Sequence, residues 1–239
     1  RFGRGDVQWM TAGKGITHSE MFPMIHQDKP NPVELFQIWI NLPAKDKFVT
    51  PYFTMFWKDI IPVVTISDSQ SLRSNVQVIA GSFQEAKAPL PPPNSWASNP
   101  DSDIAIYSIT MEAGATLRLP AASKESNRIL YFFKGETLSI NGSTQQVKHA
   151  FQLSPEKEIE LVNGSQESEM LILQAKAIDE PVVKYGPFVM NTKAEIEQAY
   201  QDYQRTEFGG WSWPTRAPTH DNSTQRFAIH ADGQTEIPD

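Results

Sequence analysis

The sequence contains no cysteine, which excludes disulfides, thiolate metal sites and cysteine nucleophiles. It also lacks an excess of positive charge, since 21 Lys and Arg stand against 28 Asp and Glu for a formal charge of −7. Such a chain has no basic field to hold a phosphate backbone, so direct nucleic-acid binding is not expected. No apolar run approaches the ~20 residues of a membrane-spanning helix. These absences favour a cytoplasmic protein, with the nucleus as the alternative for a eukaryotic chain.

The start of the chain carries no apolar signal-peptide core and no initiator Met. Arg1-Phe2-Gly3 leads at once into a strand-like segment. We therefore expect a fragment, a processed product or a trimmed chain.

Strand-like patterns dominate the first third of the sequence. Alternating or β-branched runs predict strands at Val7–Met10, Ile16–Met21, Val33–Leu42, Val63–Ile66 and Val76–Gly81. The proline-rich stretch Ala88–Ser95 cannot donate to a sheet ladder and predicts either an inter-domain connection or a surface loop within one domain. The aromatic side chains of this part are predicted to line a barrel or its core: Trp9, Phe36, Trp39 and Trp57.

Short strands separated by turn residues continue through the middle of the chain. Eight are predicted, at Ile104–Met111, Thr116–Leu119, Arg128–Phe133, Thr137–Ile140, Ser143–Val147, Ala150–Leu153, Glu158–Val162 and Glu169–Gln174. Asn141-Gly142 between two of them is typical of a two-residue hairpin. Eight strands in so short a span indicate a sandwich or a barrel.

One helix is predicted near the end. Thr192 and Glu195 have the spacing of a capping box, and the residues that follow repeat at the interval of one apolar helix face: Ile196, Ala199, Tyr200 and Tyr203. The remaining tail, Trp211–Asp239, lacks periodicity and is expected to be irregular.

Three segments in order resemble blocks of the pirin family. They are Gly5–Met21 (GDVQWMTAGKGITHSEM), Leu35–Lys45 (LFQIWINLPAK) and Gly186–Thr192 (GPFVMNT). The resemblance implies an all-β bicupin, two tandem jelly-roll-like barrels with a C-terminal helix packing back. It implies a remnant of the first barrel at 1–60, connecting strands and a proline-rich linker at 61–102, a second barrel at 103–180, and the helix and tail at 187–239.

His18 and Glu20 are the candidate metal ligands. Two residues apart on a predicted strand, they would point to one face, and an imidazole beside a carboxylate suits Fe(II) or Mn(II). From the residues alone, a hydrogen-bonded pair inside a barrel is the alternative. The pirin resemblance implies that both are iron ligands, with Glu20 also a base for a substrate hydroxyl.

The other half of the family's ligand set, an H-x-H pair, does not occur in this sequence. In the family this pair lies on a strand that would precede Arg1. We therefore expect weak iron binding or none by the chain alone, and an exposed apolar interior in a first barrel that lacks its first strands. Counting the cupin pattern through the second barrel places its ligand positions on Pro120, Ala122 and Glu160, which predicts a metal-free barrel. The remaining histidines are expected outside any ligand set: His26 in a solvated loop, His149 on the second barrel, and His220 and His230 at the surface of the tail.

The resemblance implies two functions. One is an iron-dependent quercetin (flavonol) 2,3-dioxygenase using His18 and Glu20. The other is a non-enzymatic regulator that binds a protein partner, either a transcriptional regulator or a metabolic enzyme. The absence of the H-x-H pair favours the second for this chain.

Overall fold

A computed structural model describes residues 1–22, 24–211, 213–216, 225–230 and 232–238. The chain forms two compact units, one comprising 1–55, 92–96 and 178–239, the other 56–91 and 97–177. The strands are β1 Val7–Thr11, β2 Tyr52–Phe56, β3 Val63–Ser67, β4 Arg73–Ala80, β5 Ser82–Phe83, β6 Ala86–Lys87, β7 Ala105–Met111, β8 Thr116–Leu119, β9 Ser126–Lys134, β10 Thr137–Ile140, β11 Ser143–Gln146, β12 His149–Gln152, β13 Ile159–Asn163, β14 Ser168–Lys176, β15 Val183–Tyr185, β16 Phe188–Met190, β17 Ala228–Ile229 and β18 Thr235–Glu236. Helix α1 spans Lys193–Thr206, and short 3₁₀ turns occur at Ala44–Asp46, Lys58–Ile60, Trp96–Ser98, Pro100–Ser102 and Glu207–Gly209.

The second unit is built around two large antiparallel sheets, beside the short β5-β6 pair. One has six strands in the order β12-β9-β14-β7-β4-β3, and the other has four in the order β11-β10-β13-β8. All eight strands predicted between residues 104 and 174 are present. The strands predicted at 63–66 and 76–81, expected as connecting elements, are hydrogen-bonded into the six-stranded sheet as β3 and β4.

Alternation along the strands explains how this unit forms its core. In β9 the buried positions recur every second residue, because successive side chains point to opposite faces. Leu130 and Phe132 of β9 pack with Leu117 and Leu161 from the four-stranded sheet, and all four are 0–1% exposed. The core therefore lies between the two sheets.

Two turns of this unit are determined by local chemistry. Asn141 (φ +48°) and Gly142 (φ +80°) connect β10 to β11 in the left-handed conformation that a two-residue hairpin requires, as predicted. At the far end of β13, the Asn163 side chain donates to the carbonyls of Met111, Glu112 and Gln166. This amide thereby joins the ends of two strands from different sheets.

The first unit contains α1 and several two-stranded pairings, β1-β2, β15-β16 and β17-β18. Thr192 caps α1 as predicted: its hydroxyl accepts from the Glu195 N–H, and the Glu195 carboxylate accepts from the Thr192 N–H. Ile196 and Ala199 on the buried face of the helix pack with Met190 of β16. The tail was expected to be irregular, but the described part contains the β17-β18 hairpin.

Two predicted strands of this unit are wrong. Ile16–Met21 and Val33–Leu42 lie in irregular structure in the described residues. An alternating pattern makes a strand only when a neighbouring strand pairs with its backbone.

Within the part of the chain that the structure describes, no helix is both long enough and apolar enough to cross a membrane.

Candidate metal-binding site

The backbone that leads to His18 is shaped by two glycines. After β1, Gly13 has φ +51°, and a Cβ there would lie 2.1 Å from the carbonyl oxygen of Val49. Gly15 has φ +120°, and a Cβ there would lie 2.6 Å from the Phe208 ring. Any larger residue at either position would collide with these groups, so the turn needs glycine twice.

The segment after this turn is held by side-chain contacts rather than by strand pairing. The Thr17 hydroxyl donates to the carbonyl of Glu207, 3.1 Å away, in the turn that follows α1. The expectation that His18 and Glu20 lie on a strand is therefore wrong. They still point the same way, because alternate residues of an extended segment share a side whether or not the segment is paired.

His18 and Glu20 contact each other directly. The Nδ1 atom of His18 lies 3.3 Å from Oε1 of Glu20, and the two side chains are 43% and 46% exposed. Two donors at this separation can occupy adjacent positions around one divalent ion, given metal–ligand bonds of about 2.0–2.2 Å. The pair therefore fits half of a metal site of mixed nitrogen and oxygen ligands, the donor set that borderline ions such as Fe(II) accept.

A short chain of polar contacts extends from this pair. Gln37 Nε2 donates to Oε1 of Glu20 over a long 3.5 Å, and Trp39 Nε1 donates to Oε1 of Gln37 over 3.3 Å. The Nζ of Lys184 lies 4.9 Å from the centroid of the Trp39 ring. Sequence reasoning assigned no site role to Gln37, although its i, i+2 spacing from Trp39 was a signal that both face one side.

Of the four aromatic side chains predicted to line a barrel or its core, two are buried and two are exposed. Trp9 and Trp57 are buried as expected, at 9% and 4% exposure. Trp39 and Phe36 were predicted to line a barrel, but they are 57% and 45% exposed. Their segment lies in irregular structure, so it does not face its apolar side chains into a core.

The remaining histidines lie away from this pair. His26 is an exposed loop residue whose N–H donates to Oδ1 of Asn31, as predicted. His149 is exposed at the start of β12. His230 was expected at the surface, but it is half-buried, stacks on Phe53 at 4.8 Å and lies 2.9 Å from Oε2 of Glu236. His220 falls outside the described residues.

Among the residues that the structure describes, no group of three or more His, Asp or Glu side chains could hold a metal ion. The described contact between His18 and Glu20 brings together two atoms of the kind that ligate metals, Nδ1 and Oε1. In the second unit, Glu160 forms an ion pair with Arg118 at 3.0 Å, and Pro120 and Ala122 line a cavity. The metal-free state of that unit stays a prediction.

Comparison with protein families supports the resemblance read from the sequence. The pirin C-terminal cupin domain matches residues 106–209, and the pirin family matches residues 1–40. A pirin-like protein of Solanum lycopersicum is 34% identical over 203 residues, covering 84% of this chain and 63% of its own length. A Pseudomonas aeruginosa protein, provisionally named a quercetin 2,3-dioxygenase, is 31% identical over 211 residues, covering 87% of this chain and 68% of its own length.

The same likeness holds among solved structures. The crystal structure of a quercetin 2,3-dioxygenase from Acinetobacter baumannii superimposes with a TM-score of 0.65 at 26% identity, covering 86% of this chain and 67% of that one. This match confirms the expected all-β cupin fold. The chain spans about two thirds of the length of these relatives, 63% in the case of the tomato protein.

Proposed function

Since the chain belongs to the pirin family, we propose that His18 and Glu20 are two of the ligands of a site that binds Fe(II). The reaction proposed for this site is that of a quercetin 2,3-dioxygenase. The observation that carries this proposal is the 3.3 Å contact between Nδ1 of His18 and Oε1 of Glu20. Both side chains are close to half-exposed, so an ion can reach them without unfolding the segment. The relatives named as dioxygenases support the reaction class.

Each residue has a separate task in this proposal. Bound Fe(II) would supply Lewis-acid stabilisation of a deprotonated flavonol. Glu20 accepts the proton of the flavonol hydroxyl, and the long hydrogen bond from Gln37 to its Oε1 holds the carboxylate in place. Trp39 presents an exposed aromatic surface beside the pair, suited to a planar substrate.

The test compares metal content and flavonol consumption in matched variants. Fe(II) binding by the purified chain is measured at equilibrium without oxygen over a range of Fe(II) concentrations, because two ligands hold an ion weakly, and quercetin and O₂ are then added. His18→Ala and Glu20→Gln should each lower the affinity for iron by roughly tenfold or more, since a ligand matters at least as much as the groups around it. His26→Ala removes an exposed loop histidine and should change neither value.

Iron binding that is identical in His18→Ala and in the unaltered chain would refute the ligand assignment. Iron binding that depends on His18, without any quercetin loss, would keep the metal site and refute the dioxygenase reaction.

A second candidate is a partner-binding protein without catalytic activity. It is supported by a set of apolar side chains between residues 22 and 39 that are each more than half exposed: Phe22, Met24, Val33, Leu35 and Trp39. We propose that these side chains form one docking surface, because contiguous exposed apolar side chains are typical of protein interaction surfaces. The two candidates differ in their need for metal. Flavonol turnover would stop on chelation, whereas docking through these side chains would continue.

A further inference from the structure

The second unit carries a buried arginine on the face that otherwise forms its core. Arg128 alternates along β9 with Leu130 and Phe132, so its side chain enters the space between the sheets. It is 2% exposed. In the neighbouring strands its register partner is Gln174 of β14, which in turn pairs with Ala105 of β7. Arg128, Gln174 and Asp103, whose carbonyl accepts from Gln174, form a group of polar residues next to the apolar interior, called the polar layer below.

The guanidinium of Arg128 is incompletely satisfied. Its Nη1 donates to the carbonyl of Pro120 at 2.8 Å, while Nε is buried without a hydrogen-bond partner. Within the described residues, no carboxylate lies at ion-pair distance from it. The group stays charged, because arginine does not lose its proton in proteins, and Asp103 interacts with that charge through space without forming an ion pair.

The acidic residue of the polar layer, Asp103, already accepts hydrogen bonds from other groups. Oδ2 of Asp103 accepts from the Ser126 hydroxyl at 2.5 Å and from the Ser123 N–H at 3.0 Å. Its carbonyl accepts from Nε2 of Gln174. Tyr107 is also committed, since its hydroxyl donates to the carbonyl of Ser82 at 2.5 Å, and burial raises its pKa to about 12, so it stays neutral.

A cavity of about 480 Å³ adjoins this layer. This volume lies in the range of small-molecule sites, which are concave and contain a few polar groups that orient the ligand. Among the polar side chains in its wall are Asp103, Arg128 and Gln174, and apolar surface comes from residues that include Pro120, Ala121 and Ala122. All of them belong to the second unit.

We infer that this cavity binds a small organic monocarboxylate, with the carboxylate on Arg128 and the apolar body against the alanine and proline residues of the wall. Arg128 forms part of the cavity wall, and a guanidinium takes a carboxylate through two parallel N–H donors. Asp103 in the same wall disfavours a ligand with a second negative charge. This site is separate from the His18 and Glu20 pair and requires no metal.

The test uses benzoate, which has one carboxylate and a compact apolar body, against the full chain in calorimetry. Benzamide, its neutral counterpart, should bind at least tenfold more weakly, and sodium sulfate should not compete. Arg128→Leu should weaken benzoate binding roughly ten- to a hundredfold, the equivalent of about 1.5–3 kcal/mol for a hydrogen bond to a charged group at 1.4 kcal/mol per tenfold change. Arg118→Leu, which removes an exposed arginine of the same unit, and His18→Ala should leave affinity unchanged.

A second measurement does not depend on whether Arg128→Leu folds. In the unaltered ¹⁵N-labelled chain, the Nε–H resonance of Arg128, assigned by its loss in Arg128→Lys, should shift on benzoate addition and stay still on benzamide addition. The inference is overturned if benzoate fails to bind, if benzamide or sulfate binds as tightly, or if this resonance does not respond.

Discussion

Replacement of Asn163 by aspartate should destabilise the second unit more than replacement by alanine. The Asn163 amide is 5% exposed. Its Nδ2 lies 3.0, 2.9 and 2.8 Å from the carbonyl oxygens of Met111, Glu112 and Gln166, and its Oδ1 accepts from the Gly164 N–H at 2.9 Å. Aspartate has the same shape, but it replaces the Nδ2 donor with a negatively charged oxygen that faces the same three carbonyl oxygens.

The magnitude follows from the number of hydrogen bonds. An amide has two N–H groups and shares them among three carbonyls, so with the Gly164 contact Asn163→Ala removes the equivalent of three hydrogen bonds. At about 1 kcal/mol each, the loss in the free energy of unfolding is about 2–4 kcal/mol. Asn163→Asp loses the same donors and adds a buried charge facing carbonyl oxygens, so it should lose at least about 1 kcal/mol more at neutral pH.

The pH dependence gives a second signature. The neutral acid can donate to a carbonyl and the carboxylate cannot, so folding should raise the pKa of the introduced carboxyl above its unfolded value of about 3.9. Between the two pKa values the folded state binds more protons, so the variant should lose stability, relative to the original chain, as the pH rises above about 4.

Urea unfolding followed by far-ultraviolet circular dichroism measures these differences as shifts in midpoint at constant slope. Asn127→Asp is the matched control, because Asn127 is exposed on β9 and its replacement should change stability by less than about 0.5 kcal/mol. Equal stability of Asn163→Asp and Asn163→Ala at neutral pH would refute the reasoning.

Three further predictions concern packing and the helix cap. Leu130→Ala should lower the free energy of unfolding by about 2–5 kcal/mol in urea titrations, because Leu130 is 0% exposed, whereas Leu90→Ala at an 88% exposed position should have little effect. Thr192→Ala should cost about 0.5–2 kcal/mol by removing the cap of α1; an unchanged unfolding midpoint would contradict this. The Thr192 hydroxyl, together with backbone N–H groups, lowers the pKa of the Glu195 carboxyl. The stability from this carboxylate is therefore present above the unfolded pKa of about 4.3 and is lost as pH falls through the lowered folded pKa, and NMR titration should find that pKa raised in Thr192→Ala.

Local signals in the sequence were sufficient for much of the fold. The Asn141-Gly142 hairpin and the Thr192 cap were both predicted correctly, since each depends on the conformation and hydrogen bonding of a few adjacent residues. The strands of the six-stranded and four-stranded sheets were also predicted, because alternation records which side of a strand faces the core, whereas the short strands β5 and β6 were not predicted. The pirin motifs identified the family, and His18 and Glu20 do lie in contact.

Other features depended on contacts between distant parts of the chain. The segments 16–21 and 33–42 have strand-like composition but lie in irregular structure, because strand formation requires a backbone partner that composition does not specify. For the same reason the exposure of Trp39 could not be read from its hydrophobicity. The contact between Glu20 and Gln37 joins residues from two such segments.

Arg128 shows most clearly the difference between what the sequence predicts and what only the tertiary structure decides. Its position in an alternating run indicated that it shares a face with Leu130 and Phe132, and that much follows from the period of a strand. The sequence by itself determined the strands of the second unit's two large sheets, helix α1, the family and the proximity of His18 to Glu20, because these depend mainly on neighbours in the chain. Only the tertiary structure decided that Arg128 is buried at a cavity with no carboxylate at ion-pair distance among the described residues. Burial and charge pairing depend on which distant side chains the sheets bring together, and the order of residues does not specify those distances.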